Sequence, residues 1–202
     1  MILKLYEENP SEKHMQRIIE ALDNDGVIIY PTDTVYAFGC SIDSQKAADR
    51  ISQIKGDNKK RDDFSIVFKD ISQIADYTKQ IPNDIFKIMK DKLPGPFTFL
   101  LEANHKVPKM YKNKKRVIGA RIPANNIPHK IVEKLGRPIL TSSVHDEDEI
   151  LEYTTDPGLI HDRYHKHVDY VIDGGPGGNE GSTVVDARDN AIEVIRQGKG
   201  VI

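Results

Sequence analysis

Hydroxyl and carboxyl side chains directly follow one apolar segment of the chain. The run GVIIY ends at Pro31, and Thr32, Asp33 and Thr34 come next. Short polar side chains just beyond the carboxyl end of a buried strand are well placed to hold a small polar ligand. The same residue types are common in turns. The segment alone therefore predicts either a binding site or a turn.

A single arginine lies within an apolar segment further along the chain. Arg121 belongs to GARIPA, where an unpaired guanidinium would be costly to bury. A ligand carboxylate would suit the planar fork of this arginine, and an internal aspartate or glutamate would suit it equally well. The sequence therefore predicts an acidic partner for Arg121 and leaves its source open.

Two further segments supply hydroxyl groups and backbone amides. The segment PILTSS ends in three hydroxyl side chains, and residues 172–186 combine five glycines with Ser182 and Thr183. Glycines let backbone N–H groups approach an oxyanion closely, although the segment is neither a Walker loop nor a G-x-G-x-x-G motif. A flexible hairpin connection is the more common explanation of such a sequence.

Basic residues form local clusters in a chain whose formal net charge is only −2. Residues 106–116 hold six Lys or Arg and no acid, and Lys55 is followed by Lys59, Lys60 and Arg61. Such clusters predict sites for anions rather than a polycation, with a solvated surface loop as the alternative.

Three histidines lie close together in the hydrophilic segment HDRYHKH. His161 and His165 are four residues apart on a predicted helix, a spacing that can bind zinc, and His167 follows. No further ligand is fixed by the pattern. We therefore predict a solvated helix end without a metal site.

Size and composition limit the class of protein. The chain has 202 residues, of which 38% are apolar and 30% charged, as expected for one soluble globular domain. No apolar run approaches the roughly 20 residues of a membrane span, and no signal peptide is evident. Cys40 is the single cysteine, so an internal disulfide is impossible. We expect a cytoplasmic protein without membrane association.

Helical and strand patterns alternate through the first two thirds of the chain, and strands dominate the end. Ser11 and Asp70 are predicted N-caps, Gly136 is a predicted helix end, and the last two strands are predicted to pair. This order predicts one α/β domain, residues 1–202, built around a mixed sheet.

Six segments, taken in order, resemble the signatures of the Sua5/YrdC/YciO family, and within it the YciO-like branch. They are PTDTVYAFG, LPGPFTFLL, GARIPAN, VIDGG, EGSTVVD and IRQG. The resemblance implies a twisted, mostly parallel sheet around an open basic cleft. It also implies that L-threonine, bicarbonate and ATP react to give L-threonylcarbamoyl-AMP and pyrophosphate. L-threonylcarbamoyl-AMP is the donor for the t6A modification of tRNA.

The resemblance also implies roles for individual residues. Thr32 would contact the substrate threonine, and Arg121 would bind its carboxylate. Because the reaction needs in-line placement and cations at the leaving pyrophosphate, Lys55 and Arg121 would be the catalytic residues. ATP, as a substrate with Mg²⁺, would be held by Lys55, Lys59, Arg61, Ser143, Ser182 and Arg196.

The chain departs from the synthase pattern in two places. The segment KGDNKKRDDF keeps Lys55 but has no arginine two residues later, so Lys59, Lys60 or Arg61 would have to substitute. The motif S-x-N is replaced by Ser143-Val144-His145, followed by the acidic run DEDE. These departures leave two alternatives to synthase turnover: a threonylcarbamoyl-AMP hydrolase, or a protein that binds tRNA or double-stranded RNA through residues 106–116.

Overall fold

Ten strands lie in one continuous open sheet in the computed structural model, which describes residues 1–56, 64–108, 116–144, 154–188 and 191–202. The strands are β1 (Ile2–Lys4), β2 (Ile28–Tyr30), β3 (Ala37–Ser41), β4 (Ser65–Val67), β5 (Phe97–Glu102), β6 (Val117–Arg121), β7 (Ile139–Ser143), β8 (Tyr170–Asp173), β9 (Thr183–Asp186) and β10 (Glu193–Arg196). Their order across the sheet is β1-β8-β2-β3-β7-β4-β6-β5-β9-β10.

The sheet is mixed, as the sequence predicts. The pairs β1–β8, β8–β2, β4–β6 and β5–β9 are parallel, and the other five neighbouring pairs are antiparallel. The expectation of a mostly parallel sheet is therefore wrong. The reason lies near the middle of the sheet, where β7 runs antiparallel to both of its neighbours, β3 and β4. The predicted pairing of the last two strands, β9 and β10, is confirmed.

Six helices occur in the described ranges, and none is long and apolar enough to cross a membrane. The predicted caps are confirmed, because Ser11 accepts from His14 N, Asp70 accepts from Gln73 N, and Gly136 is left-handed with φ 71°. The helices are α1 (Glu12–Asp23), α2 (Gln45–Lys55), α3 (Ile71–Tyr77), α4 (Asn83–Lys92), α5 (Asn126–Leu135) and α6 (Pro157–Tyr164).

The helices cover the two faces of the sheet unequally. Buried residues of α2, α3, α4 and α6 share one core with Phe97, Phe99 and Ala120 of the sheet. A second core joins α1 and α5 to the other face, but among the described residues it includes none from β5, β6 or β9. Because strand side chains alternate between faces, Thr98 and Arg121 point to this side. We refer to this side of β5, β6 and β9 as the polar face.

The strand β3 is absent from the sequence-based prediction. All five of its residues are buried, so the segment shows none of the apolar and polar alternation that marks a half-buried strand. Its pairing between β2 and β7 makes the preceding residues, 31–36, a short connection between antiparallel neighbours. That connection carries the polar residues from which the sequence analysis began.

Candidate functional site

Arg121 ends β6, and its side chain is buried on the polar face. Its Nη2 donates to Asp33 Oδ1 at 3.3 Å and to Thr34 Oγ1 at 3.0 Å. The side chains of Arg121 and Asp33 are only 8% and 9% exposed, so the pair is shielded from water. Of the two acidic partners left open by the sequence, the structure therefore shows an internal aspartate.

One donor of Arg121 has no acceptor. Its Nε is buried and makes no hydrogen bond with the described part of the chain. Burial lowers the pKa of the guanidinium, and the Asp33 carboxylate opposes that shift. Because buried polar atoms are nearly always satisfied, this Nε is an exception among the described buried side-chain atoms. A carboxylate oxygen would form a charge-assisted hydrogen bond there.

Thr32 is connected to Arg121 through Thr34. The Thr32 hydroxyl donates to Val35 O at 2.7 Å, accepts from Thr34 N at 3.1 Å, and lies 3.0 Å from Thr34 Oγ1. Thr34 Oγ1 in turn accepts from Arg121. The structure thus brings the two predicted threonine-binding residues into one network. It also shows that the Thr32 hydroxyl shapes its own turn, as the second sequence-based interpretation of this segment expects, while the binding site stays a prediction.

Asp33 holds the connection 31–36 against distant parts of the chain. Its Oδ2 accepts from Ala124 N at 3.0 Å, just beyond β6. Its backbone oxygen accepts from Lys199 Nζ at 2.6 Å. In the sheet, β7 and β4 lie between β3 and β6. The contacts of Asp33 therefore require residues 31–36 to extend past these two strands to the polar face.

The glycine-rich segment 174–181 packs against residues 31–36. A Cβ on Gly177 would lie 2.6 Å from the Tyr36 ring, and one on Gly178 would lie 2.3 Å from Thr34 O. The Tyr36 hydroxyl also donates to a backbone oxygen of the segment at 2.7 Å. These glycines therefore permit close packing against residues 31–36. The approach of their backbone N–H groups to an oxyanion, considered from the sequence, stays a prediction.

Ser182 and Arg196 lie together beside the polar face. Arg196 Nη2 donates to Ser182 O at 3.1 Å, and Ser182 Oγ lies 2.8 Å from Thr98 Oγ1. The sequence analysis assigned no role to Thr98, which lies in the segment LPGPFTFLL. A usable signal was present, since Thr98 alternates with Phe97 and Phe99, both of which belong to the opposite core.

A buried phenol lies close to this network and was also missed. Tyr30 OH donates to Thr141 Oγ1 at 2.8 Å, and Thr141 donates to Phe38 O at 3.0 Å. Burial raises the pKa of Tyr30 to about 12, and the charge of Arg121 opposes that shift. The phenol is therefore neutral near pH 7 and serves as a fixed hydrogen-bonding group in the fold.

Lys55 approaches from the other side of the sheet. Its ammonium donates to Ser142 Oγ and to Ser143 O, both at 2.8 Å. Ser142 shares a face with Leu140, which packs in the core with α2 and α6. Ser143 contributes its backbone oxygen to this contact, and its side chain is exposed.

Other predicted residues lie outside the described ranges. They are Lys59, Lys60, Arg61, His145, the acidic run 146–149 and most of the basic run 106–116. Their predicted contacts with phosphate or RNA stay predictions. The convergence of all the predicted site residues on one basic cleft also stays a prediction, because the described contacts form two groups, one at Arg121 and one at Lys55.

The histidines at 161 and 165 contact each other. Their rings stack with centroids 5.3 Å apart, and His165 Nδ1 lies 3.1 Å from the backbone oxygens of His161 and Asp162. The described residues contain no group of three or more His, Cys, Asp and Glu that could hold a metal ion. The absence of a metal at these histidines remains a prediction.

A family model described as "Telomere recombination", Sua5/YciO/YrdC, matches residues 20–198. YciO of Escherichia coli K12, an uncharacterized protein, is 35% identical over an alignment 202 positions long. The alignment covers 97% of this chain and 94% of that protein. The chain belongs to the Sua5/YciO/YrdC family. A putative threonylcarbamoyl-AMP synthase of Methanocaldococcus jannaschii is 32% identical over 203 residues, covering 98% of this chain and 92% of that protein.

Solved structures of family members share the fold. The crystal structure of E. coli YciO matches with a TM-score of 0.92 at 33% identity and covers 100% of this chain and 97% of that chain. The P. abyssi Sua5 structure complexed with L-threonine matches with a TM-score of 0.87 at 24% identity. The match covers 98% of this chain and 57% of that chain, so Sua5 carries a further part that has no counterpart here. These matches confirm a single α/β domain with a mixed open sheet.

Proposed function

We propose that this protein binds ATP and L-threonine and converts them, with bicarbonate, into L-threonylcarbamoyl-AMP and pyrophosphate. The observation that carries the proposal is the buried Arg121 guanidinium, whose Nε has no acceptor within the described part of the chain. The substrate carboxylate would occupy that position, next to the hydroxyl groups of Thr32 and Thr34. The 32% identical relative named as a putative threonylcarbamoyl-AMP synthase supports the reaction, and the L-threonine complex of P. abyssi Sua5 supports the choice of amino acid.

The reaction requires the protein to position the substrates and to stabilise negative charge on the phosphates. The amine of threonine condenses with bicarbonate to form a carbamate, and water is released. A carbamate oxygen then attacks the α-phosphorus of ATP while the bond from that phosphorus to pyrophosphate breaks. Arg121 would fix the amino acid, and Arg196 would stabilise the phosphate charges. The same role for Lys55 stays a prediction, because its described hydrogen bonds lie on the opposite face of the sheet. Ser143 and Ser182 would line the nucleotide side. A role in t6A formation, and with it a cytoplasmic location, forms part of the same proposal.

Mg²⁺ is expected to accompany ATP. Within the described ranges no cluster of carboxylates is available to ligate it, and both carboxylate oxygens of Asp33 are engaged by Arg121 and Ala124. The phosphates of ATP would therefore hold the ion, which would neutralise part of their charge. The contributions of the protein described above do not depend on a protein-bound metal.

The test is direct detection of the product. Purified protein is mixed with ATP, Mg²⁺, bicarbonate and labelled threonine, and the adenylate is sought by chromatography while pyrophosphate is quantified. We expect pyrophosphate release that needs both threonine and bicarbonate and that falls at least tenfold in Arg121→Ala. Failure of folded protein to form the adenylate would refute synthase activity. Breakdown of added threonylcarbamoyl-AMP without synthesis would indicate the hydrolase alternative.

A further inference from the structure

Hydrogen bonds link the neighbourhoods of three cationic residues beside the polar face: Arg121, Arg196 and Lys199. Arg196 Nη2 donates to Ser182 O at 3.1 Å, and the backbone N–H of Lys199 donates to Gly181 O at 3.0 Å. These two cations are therefore attached to adjacent residues of one segment. Lys199 then reaches across to Asp33, the residue that pairs with Arg121. No role has been given to Lys199 in the proposed reaction.

The side chain and the backbone of Lys199 are held differently. The backbone around it is fixed, since Thr183 Oγ1 donates to Gly200 O at 2.6 Å and accepts from Gly198 N at 3.0 Å. The ammonium makes one described hydrogen bond, 2.6 Å long, to the neutral oxygen of Asp33. Lys199 is exposed, so its flexible stem can change direction while its Cα stays in place.

Positive charge exceeds negative charge around this group. Among the described residues, Asp33 is the only carboxylate with an oxygen within 4.0 Å of a charged nitrogen of Arg121, Arg196 or Lys199. Asp33 balances one of the three charges, and like charges near each other are unfavourable unless an anion joins them. A multiply charged anion fits this excess better than a single carboxylate does.

We propose that Lys199 is a polyphosphate-binding residue of the nucleotide site. Its ammonium leaves the neutral Asp33 carbonyl and binds a non-bridging oxygen of the β- or γ-phosphate of ATP, next to Arg196. The exchange is favourable because a hydrogen bond between an ammonium and a phosphate is stronger than one to a neutral carbonyl. The proposal rests on the function proposed above and adds a residue to it.

The ligand that distinguishes Lys199 from Arg121 is inorganic polyphosphate. Arg121 is buried and already paired with Asp33, and its buried Nε has no partner among the described residues. Lys199 and Arg196 are both exposed, and we expect a chain of phosphates to contact both. Loss of Lys199 should therefore weaken the binding of polyphosphate and leave the binding of threonine nearly unchanged.

The experiment titrates inorganic tripolyphosphate and, separately, L-threonine into the intact protein by calorimetry at fixed ionic strength. The variants are Lys199→Met, which removes the charge, and Lys199→Arg, which keeps it. The matched control is Lys92→Met, because Lys92 also donates to a backbone carbonyl, that of Val201, but lies on α4 against the opposite face. Thermal unfolding of each variant verifies that it is folded.

We expect Lys199→Met to weaken tripolyphosphate binding roughly tenfold, Lys199→Arg to restore most of it, and Lys92→Met to match the wild type. Unchanged binding by Lys199→Met, equal weakening by the control, or no binding of tripolyphosphate by the wild type would each overturn the proposal. A parallel weakening of threonine binding would show that Lys199 only supports residues 31–36. Lys199-dependent binding without adenylate formation would refute the proposed reaction while leaving this inference intact.

Discussion

Two arginines near the polar face are held in opposite ways. Arg121, at the end of β6, is buried and paired with a buried carboxylate, Asp33. Arg196, on the edge strand β10, is exposed. The one described hydrogen bond of its side chain goes to the neutral backbone oxygen of Ser182. Within the described ranges no carboxylate oxygen lies within 4.0 Å of Arg196.

The difference separates a permanent structural charge from one available to a ligand. A buried guanidinium needs a lasting counter-charge, so removal of Arg121 should destabilise the fold, and in the proposed function the same side chain would also bind ligand. An exposed guanidinium loses little by exchanging a carbonyl for a phosphate, so Arg196 can act mainly on the ligand. The two arginines should therefore respond differently to the same substitution.

The largest expected effect is on stability at Arg121. Arg121→Ala leaves the Asp33 carboxylate buried without its counter-charge, and we expect the free energy of unfolding to fall by about 3 kcal/mol. Urea denaturation of Arg121→Ala, Asp33→Asn and the double variant measures this coupling. The double variant should recover about 1 kcal/mol relative to the sum of the two single changes. Strict additivity would mean that the ion pair contributes nothing to the fold.

The same substitution at Arg196 should affect the ligand and not the fold. We expect Arg196→Ala to weaken the binding of a non-hydrolysable ATP analogue roughly tenfold and to change stability by less than about 0.5 kcal/mol. Arg17→Ala, which removes a partly exposed arginine of α1, is the control for bulk charge. A loss of stability as large as that of Arg121→Ala would remove the distinction between the two arginines.

A smaller effect is expected at Thr98, which holds the hydroxyl of Ser182 beside Arg196. Thr98→Val keeps the shape but leaves Ser182 Oγ without this partner, at a cost of about 1 kcal/mol in unfolding free energy. Thr98→Ser should retain most of the wild-type stability. Chemical denaturation of both variants measures the difference. Equal stability of the valine and serine variants would show that the hydroxyl pair is not a stabilising contact.

The local structure could be predicted where the signal is local. Helix caps at Ser11 and Asp70 and the left-handed Gly136 depend on side chains within a few residues, and all three are confirmed. The strand β3 was missed because a fully buried strand has no alternation to detect. The balance of parallel and antiparallel pairs was wrong because strand order depends on contacts between residues far apart in the sequence.

The candidate site was predictable in residue type but not in pairing. An apolar context around Arg121 predicts an acidic partner, yet only the path of residues 31–36 across the sheet identifies Asp33 as that partner. Likewise, the sequence placed Lys55 with the other cations, while the structure shows it hydrogen-bonded from the opposite face. Lys55 ends α2, and the face of the sheet against which a helix packs depends on contacts between residues far apart in the sequence. The motifs do not contain that information.

The central claim is that Arg121 binds the carboxylate of threonine, and calorimetric titration of L-threonine tests it most directly. Wild type, Arg121→Ala and Arg121→Lys are compared under conditions where each is folded, with an ATP analogue titrated separately. We expect Arg121→Ala to bind threonine roughly tenfold to a hundredfold more weakly, and Arg121→Lys to recover part of the loss because it lacks the planar fork. Binding of the analogue should change little. If folded Arg121→Ala binds threonine as tightly as the wild type, Arg121 serves only the fold and the claim is contradicted.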